Sequence, residues 1–237
     1  MNLILVTAED FIDDKSVKLS DSRHTHISKV HKAVTGQALK VGMLNGNTGT
    51  GTVVSIDDQS VTLTLALNTK PLPPLPLTLI LALPRPKMLK RILQCVASLG
   101  VKDIYLINSY KVEKSYWSSP VLEASSIEQQ LLLGLEQAGD TLMPKVHLRK
   151  RFKPFIEDEL PAIAEYSRKI IAHPYNAHTF EATADQPTTL AIGPEGGFID
   201  YEVEKLCSQG FAAMSLGSRI LRVETALPVA ISKLFSF

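Results

Sequence analysis

The stretch Ile192-Gly193-Pro194-Glu195-Gly196-Gly197-Phe198 places one carboxylate in a backbone nearly stripped of side chains, directly after the apolar residues Leu190 and Ala191. Glycine permits a close approach or a positive φ that a β-carbon forbids, and Pro194 stiffens the turn. Bare N–H and C=O groups in such a bend suit the edge of a heterocycle. An ordinary strand-to-helix turn, with Glu195 solvated near a helix N-terminus, satisfies the same local pattern. A phosphate loop is excluded, because the terminal Gly-Lys-Ser/Thr is missing and a carboxylate repels phosphate. No Gly-x-Gly-x-x-Gly follows an early strand, so the dinucleotide fingerprint is excluded too.

Two further segments carry unusual residues after apolar runs. One is Ile171-Ala172-His173-Pro174-Tyr175; the other runs from Ser215 through Arg219-Ile220-Leu221-Arg222 to Thr225-Ala226. Apolar residues between two arginines in a loop predict a wall, against either a flat ligand or the protein's own core. His24 and His26 are spaced like a metal-ligand pair but lack partners nearby, so surface or RNA-facing histidines are expected and no metal. Cys95 and Cys207 have no Cys-x-x-Cys spacing; both fall in helical patterns and read as buried, inert thiols, which fits a reducing, cytoplasmic setting.

The elements that must position these residues follow from hydrophobic spacing. In this chain of 237 residues, 45% hydrophobic and 21% charged composition supports an ordinary soluble core. No apolar run reaches the roughly 20 residues of a spanning helix, so no membrane is expected. The N-terminal MNLILVTAEDF has no basic start and predicts a strand, not a signal peptide. Four prolines among residues 71–76 form an extended connector. Before it, Val61, Leu63, Leu65 and Leu67 alternate with period two, and Asp57-Asp58-Gln59-Ser60 forms a turn, so residues 1–70 predict a small β-barrel, with a short helix around His24 to Val34. After it, residues 77–237 alternate strands and helices, which predicts an α/β domain with a mostly parallel sheet. Strands are expected at Leu77 to Leu83, Ile104 to Ile107, Lys169 to Ala172, Thr189 to Ile192 and Ala212 to Leu216. Helices are expected after Pro86, at Ser119 to Gln137, Tyr201 to Ser208 and Thr225 to Phe235. In open α/β sheets ligands sit beyond the carboxyl ends of strands, where all three unusual segments lie.

The net charge of +1 leaves nucleic acid undecided, so local clusters matter more. Basic residues gather at Arg23 to Lys32, Lys87 to Arg91, and Arg149 to Lys153. Each serves equally well as a solvated face.

Taken together, "IGPEGGF" and "SLGSRILRVETA" resemble the C-terminal signature of the RsmE family, bacterial 16S rRNA uridine-N3 methyltransferases of the SPOUT class. The resemblance extends over the whole chain. It implies a C-terminal SPOUT α/β domain with a deep trefoil knot, an N-terminal PUA-like β-barrel that serves as an RNA platform, S-adenosylmethionine as cofactor, and a homodimer acting on 16S rRNA or the small ribosomal subunit. Carried over, it implies a cofactor pocket of His173, Pro174, Ile192, Gly193, Gly197, Leu216, Ile220, Leu221, Thr225 and Ala226. Uracil N3 must lose a proton before it attacks the methyl group. Arg222 is the candidate stabiliser of the resulting charge and Glu195 the candidate for positioning or base work. For Glu195 the rival role is holding its loop through backbone N–H groups; for Arg222 it is a dimer-interface salt bridge. Arg23, His26, Lys32, Lys87 and Arg91 are the candidate RNA contacts.

The chain departs from the family pattern at Lys32, Cys95, Ser98, the segment Lys111 to Ser115, and Asp140, where an acid stands in place of arginine. These departures leave three alternatives: a paralogue acting on another RNA, an assembly protein that binds RNA without catalysis, and a small-molecule methyltransferase.

Overall fold

Period-two sequences in the front segment form a sheet that buries one face. The computed structural model, which describes residues 2–174, 182–183 and 185–236, has five strands here. These are β1 (Ile4–Val6), β2 (Ser16–Leu19), β3 (Ala38–Met43), β4 (Thr48–Ile56) and β5 (Val61–Thr69), hydrogen-bonded in the order β1-β3-β4-β5-β2. β1 runs parallel to β3 and the other pairs are antiparallel. Val17, Leu19, Val41, Val53, Val61 and Leu63 meet on the inner face, with Ile27 packed among them. The Asp57 carboxylate accepts hydrogen bonds from the Gln59 and Ser60 amides, both 2.8 Å, and so closes the predicted β4–β5 turn. Gly49 sits at a bulge where a β-carbon would collide with the Ala66 carbonyl.

The predicted small barrel takes the form of one five-stranded sheet with β1 and β2 at its two ends. The outer edge of β2 meets residues of its own approach, through an isolated Phe11–Val17 bridge and the Ile12 amide donating to the Ser16 carbonyl at 2.9 Å. Two expectations need correction in this unit. The predicted helix is shorter and changes winding, with Ser22–Thr25 followed by a wide turn at His26–Val30. His24 is buried, its Nε2 2.9 Å from the Asp57 carbonyl, and is no surface histidine.

Arg23 likewise turns inward. Its five N–H donors reach both Asp10 oxygens (2.7 Å each), Asp21 (2.7 to 3.0 Å) and the Leu5 carbonyl (2.8 Å), so none is left for a phosphate. Burial pushes the Asp10 carboxyl up, but hydrogen bonds from Arg23 and Thr7 and the guanidinium charge outweigh it and hold its pKa below 3.8. Because the folded value is depressed, the stabilisation is complete above about pH 4 and is lost as pH falls through the lower folded value. Arg23→Met is therefore expected to cost roughly 2 kcal/mol at pH 7, or about 4–8 °C in Tm. In thermal scans across pH, the gap to wild type should close on the acid side, as pH falls below the usual carboxylate range and Asp10 is protonated in the folded protein. A gap that stays constant down to acid would refute this account of the pair.

Contacts divide the chain into two units, Met1–Pro73 with Leu132–Met143, and Pro74–Leu131 with Pro144–Phe237. Residues 132–143 join the front unit through named bonds. The Asn2 and Leu3 amides donate to the Glu136 carbonyl at 3.1 Å, and Met143 donates to Asn45 Oδ1 at 2.9 Å. Asp140 is buried and accepts from the Thr141 and Leu142 amides, so the acid in place of arginine organises a turn.

The second unit is a six-stranded, wholly parallel sheet of β6 (Leu77–Ala82), β7 (Asp103–Ile107), β8 (Lys145–Arg149), β9 (Arg168–Ala172), β10 (Thr188–Ile192) and β11 (Ala212–Met214). Its order is β11-β9-β10-β6-β7-β8, each neighbouring pair parallel. β10 is buried at every position, as a strand covered on both faces requires. Its two threonines bury hydroxyls that are hydrogen-bonded, Thr188 to the Gln186 carbonyl and Thr189 to Ser167 Oγ. Helix Pro86–Ser98 starts on its proline and buries Leu89, Ile92, Leu93 and Val96. Helices Asp200–Ser208 and Val223–Leu234 lie close to their predicted positions. The predicted Ser119 helix begins only at Ala124, after a tight turn at Pro120–Leu122. β8 and the helical turns of residues 152–163 were not anticipated; β8 is an edge strand without a fully buried position and carries no apolar run. Cys95 is half-buried, and burial pushes its thiol up; Cys207 is exposed, contrary to expectation. Among the described residues no helix is long and apolar enough to cross a membrane. Tyr175, at the end of one predicted bend, lies outside the described residues.

Candidate functional site

Parallel register brings three strand ends to one level. Ile192 of β10 pairs with Ala172 of β9, which pairs with Met214 of β11. The chain therefore leaves the sheet side by side at His173, Gly193 and Ser215. The His173 amide donates to the Met214 carbonyl at 3.1 Å, which ties the first bend to the third. Between the bends lies a cavity of about 630 Å³, within the usual range for small-molecule sites.

Its walls come from Ala172 to Pro174, Ile192 to Asp200, and the segment from Met214 to Ala226, with Lys111 reaching in from beyond β7. The glycines do different work. At Gly193 a β-carbon would lie 2.8 Å from the Phe198 amide nitrogen, so the turn closes only without a side chain. Gly197 holds φ +68° and a β-carbon there meets nothing within 4 Å, so any side chain would project into open space in the cavity wall.

Two side chains brace the Pro194–Gly197 turn from other loops. Glu195 Oε1 accepts the Arg85 amide at 3.0 Å, at the start of helix Pro86–Ser98, and lies 4.0 Å from Arg85 Nε. Lys111 Nζ donates to the Gly196 carbonyl at 2.6 Å. Behind the wall Glu202 is only 2% exposed, yet its carboxylate accepts from Ser109 Oγ (3.1 Å), the Tyr110 amide (2.7 Å) and the Ile199 amide (3.1 Å). Burying a carboxylate without a cation is tolerable only when such donors surround it. Burial lowers the His173 pKa, against an opposing pull from Asp200.

Of the expected cofactor contacts, His173, Pro174, Ile192, Gly193, Gly197, Leu216, Ile220, Leu221 and Ala226 line the cavity. Thr225 does not; it is exposed, one position round the helix from Ala226. Glu195 lies in the wall with one oxygen engaged by Arg85. Arg222 lies outside the wall. Its side chain is exposed and its carbonyl accepts the Thr225 and Ala226 amides at the helix start. Lys87 and Arg91 are exposed on helix Pro86–Ser98. In the front unit, Lys32 is exposed and His26 half-buried, its ring 4.7 Å edge-on from that of His31. The expected contacts did not include Lys111, Phe198, Asp200, Met214 and Arg219 in the wall or Glu202 behind it. Phe198 and Arg219 stand in the two motifs and Asp200 just after the first, so their signal is local, whereas Lys111 and Glu202 are tied to the site by bonds between distant segments.

A family model for RNA methyltransferase domains matches residues 71–235. Over 232 residues the chain is 31% identical to the "Ribosomal RNA small subunit methyltransferase E" of Treponema pallidum (strain Nichols), covering 95% of this chain and 87% of that one. It is 25% identical over 230 residues to the "Ribosomal RNA small subunit methyltransferase E 1" of Borreliella burgdorferi, covering 95% and 94%. The fold matches the crystal structure of a ribosomal RNA small subunit methyltransferase E from Neisseria gonorrhoeae bound to S-adenosyl methionine. That match has a TM-score of 0.78 and 20% identity, over 98% of this chain and 95% of that one.

Proposed function

This chain belongs to the ribosomal RNA small subunit methyltransferase E family of RNA methyltransferases, and on that premise we propose that it transfers a methyl group from S-adenosylmethionine to N3 of a uridine in 16S rRNA. The observation that carries the reading is the cavity between three strand-end bends, whose wall at Gly197 is open because the residue has no side chain. Those residues fit the cofactor. Leu216, Ile220 and Leu221 offer an apolar face to an adenine, the bare backbone of 193–197 lies in reach of a nucleoside, and Glu195 and Asp200 bring negative charge suited to a sulfonium.

When bound, S-adenosylmethionine supplies an electrophilic methyl group; the chain orients the partners and handles the proton. Apolar walls exclude water, and fixed geometry replaces a bimolecular encounter. We assign Glu195 to positioning, since it holds the Gly-Pro-Glu-Gly-Gly turn against the Arg85 amide. Within one chain Arg219, which lines the cavity, is the cation placed to stabilise charge on the uracil oxygens, the role expected of Arg222. Ile220 is 90% exposed at the cavity's mouth, which supports a homodimer in which a second copy covers it and meets Arg222. The same reading assigns a deep trefoil knot to the segment bearing the bends and a PUA-like RNA-binding role to residues 1–70. Residues 71–76 are its linker, residues 77–237 its methyltransferase domain, and the cytoplasm its compartment.

Nucleoside mass spectrometry of 16S rRNA from cells lacking this protein tests the reaction. Loss of 3-methyluridine is the expected result, and its full retention would sink the assignment. Calorimetry with S-adenosylmethionine separates an enzyme from a binding protein of the same fold, which would give no heat.

A further inference from the structure

We propose that the loop Ser109–Lys111 is an RNA-contacting lip of the site, with the Tyr110 ring offered as a stacking surface for an unpaired base. The inference rests on the reading of the site as an RNA methyltransferase centre. Tyr110 is 79% exposed, an unfavourable place for a large ring unless something covers it. Its backbone is nevertheless among the best-anchored in the loop. The Tyr110 amide is held at 2.7 Å by the buried Glu202, which also takes the Ser109 hydroxyl. At the next residue, Lys111 Nζ is fastened to the Gly196 carbonyl and lines the cavity. Tyr110 is thus the immediate neighbour in sequence of a residue of the cavity wall.

Anchoring continues along the segment. Trp117 Nε1 donates to Asn108 Oδ1 at 2.9 Å, which ties the far end of the excursion back to its start. Lys111 and Lys114 are exposed there, Arg219 is exposed in the cavity wall, and the exposed Arg85 pairs with Glu195 of that wall; the carboxylates among them are Glu113 and Glu195. Glu113 faces Tyr116, whose hydroxyl donates to it at 3.1 Å, and Glu195 is turned to Arg85. An exposed aromatic ring on an anchored backbone, with exposed cations on the same segment and at the cavity wall, matches the chemistry of single-stranded RNA. Phosphates seek positive charge, and an unstacked base seeks a π-face. A uridine must leave any stack to present N3 to a methyl donor, so the neighbouring base needs a surface to replace the one it loses.

The test uses the full chain with small ribosomal subunits or 16S rRNA as substrate. Tyr110→Ala should raise KM for RNA about tenfold, the size seen when a stacked base loses its aromatic partner. Its kcat, its affinity for S-adenosylmethionine and its Tm should stay near wild type. Tyr110→Phe, which keeps the π-face, should restore KM, and Tyr110→Leu should not. A wild-type KM in Tyr110→Ala, or equal rescue by leucine, overturns the lip. RNA affinity by fluorescence anisotropy keeps the test independent of turnover. If the wild-type protein binds RNA but transfers no methyl group, the functional reading fails; if Tyr110→Ala then binds as well as wild type, the lip fails too.

Discussion

Gly197→Val is expected to raise the Kd for S-adenosylmethionine at least about a hundredfold, close to 3 kcal/mol, while the protein stays folded. Two effects follow from one substitution and can be separated. Gly197 holds φ +68°, which costs a side-chain-bearing residue roughly 1–2 kcal/mol and most for a β-branched one. That strain falls on stability and should lower Tm by a few degrees. The loss of affinity comes from space. Gly197 lines the cavity and a β-carbon there meets no protein atom within 4 Å, so a valine side chain has room to stand beside the proposed cofactor site and compete for its space. Gly197→Ala carries most of the strain and little of the bulk, and should bind with intermediate affinity. Isothermal titration calorimetry on both variants decides the matter. A valine variant that binds within about threefold of wild type would remove Gly197 from the cofactor site.

Glu202→Ala should be the most destabilising single change at the site without touching the cavity itself. Removing the carboxylate strands three donors, from Ser109, Tyr110 and Ile199, in a place almost closed to water. Each buried unsatisfied group costs about 1–3 kcal/mol, and partial rehydration brings the sum to roughly 3–5 kcal/mol. In a domain of this size that lowers Tm by about 10 °C. Glu202→Gln keeps one carbonyl oxygen as acceptor and should lose about half as much. Differential scanning calorimetry reads the difference, and an alanine variant melting within about 2 °C of wild type would show that the clamp contributes nothing. Where the alanine variant remains folded, RNA turnover should fall, because the same carboxylate holds the Ser109–Lys111 loop beside the cavity.

The bends at 173, 193–197 and 215–226 were legible in the sequence because their signals are local. Glycine, proline and an abrupt end to an apolar run act within a few residues, wherever the rest of the chain lies. The period-two pattern of β5 and the buried run of β10 were legible for the same reason. Side-chain direction at a helix start was less so: Thr225 and Arg222 belong to the motif, yet Thr225 stands one position round the helix from Ala226, Arg222 is the extended residue that precedes the helix, and neither lines the cavity that Ala226 and Leu221 line. Basic clusters were least informative. Arg23 reads like a phosphate ligand in the sequence, but it is consumed by Asp10 and Asp21, and the decisive partner Asp10 lies outside its cluster.

By itself, then, the sequence determined that glycine-bearing bends would stand at strand ends in an α/β domain, because backbone conformation and burial are encoded residue by residue. Only the tertiary structure decided what those bends enclose and what holds them. Glu195 meets Arg85 across 110 positions, Lys111 meets Gly196 across 85, and Glu202 meets Ser109 across 93. Such pairs exist because strand order and parallel register place distant loops at one edge of the sheet, and no spacing within a single segment carries that information.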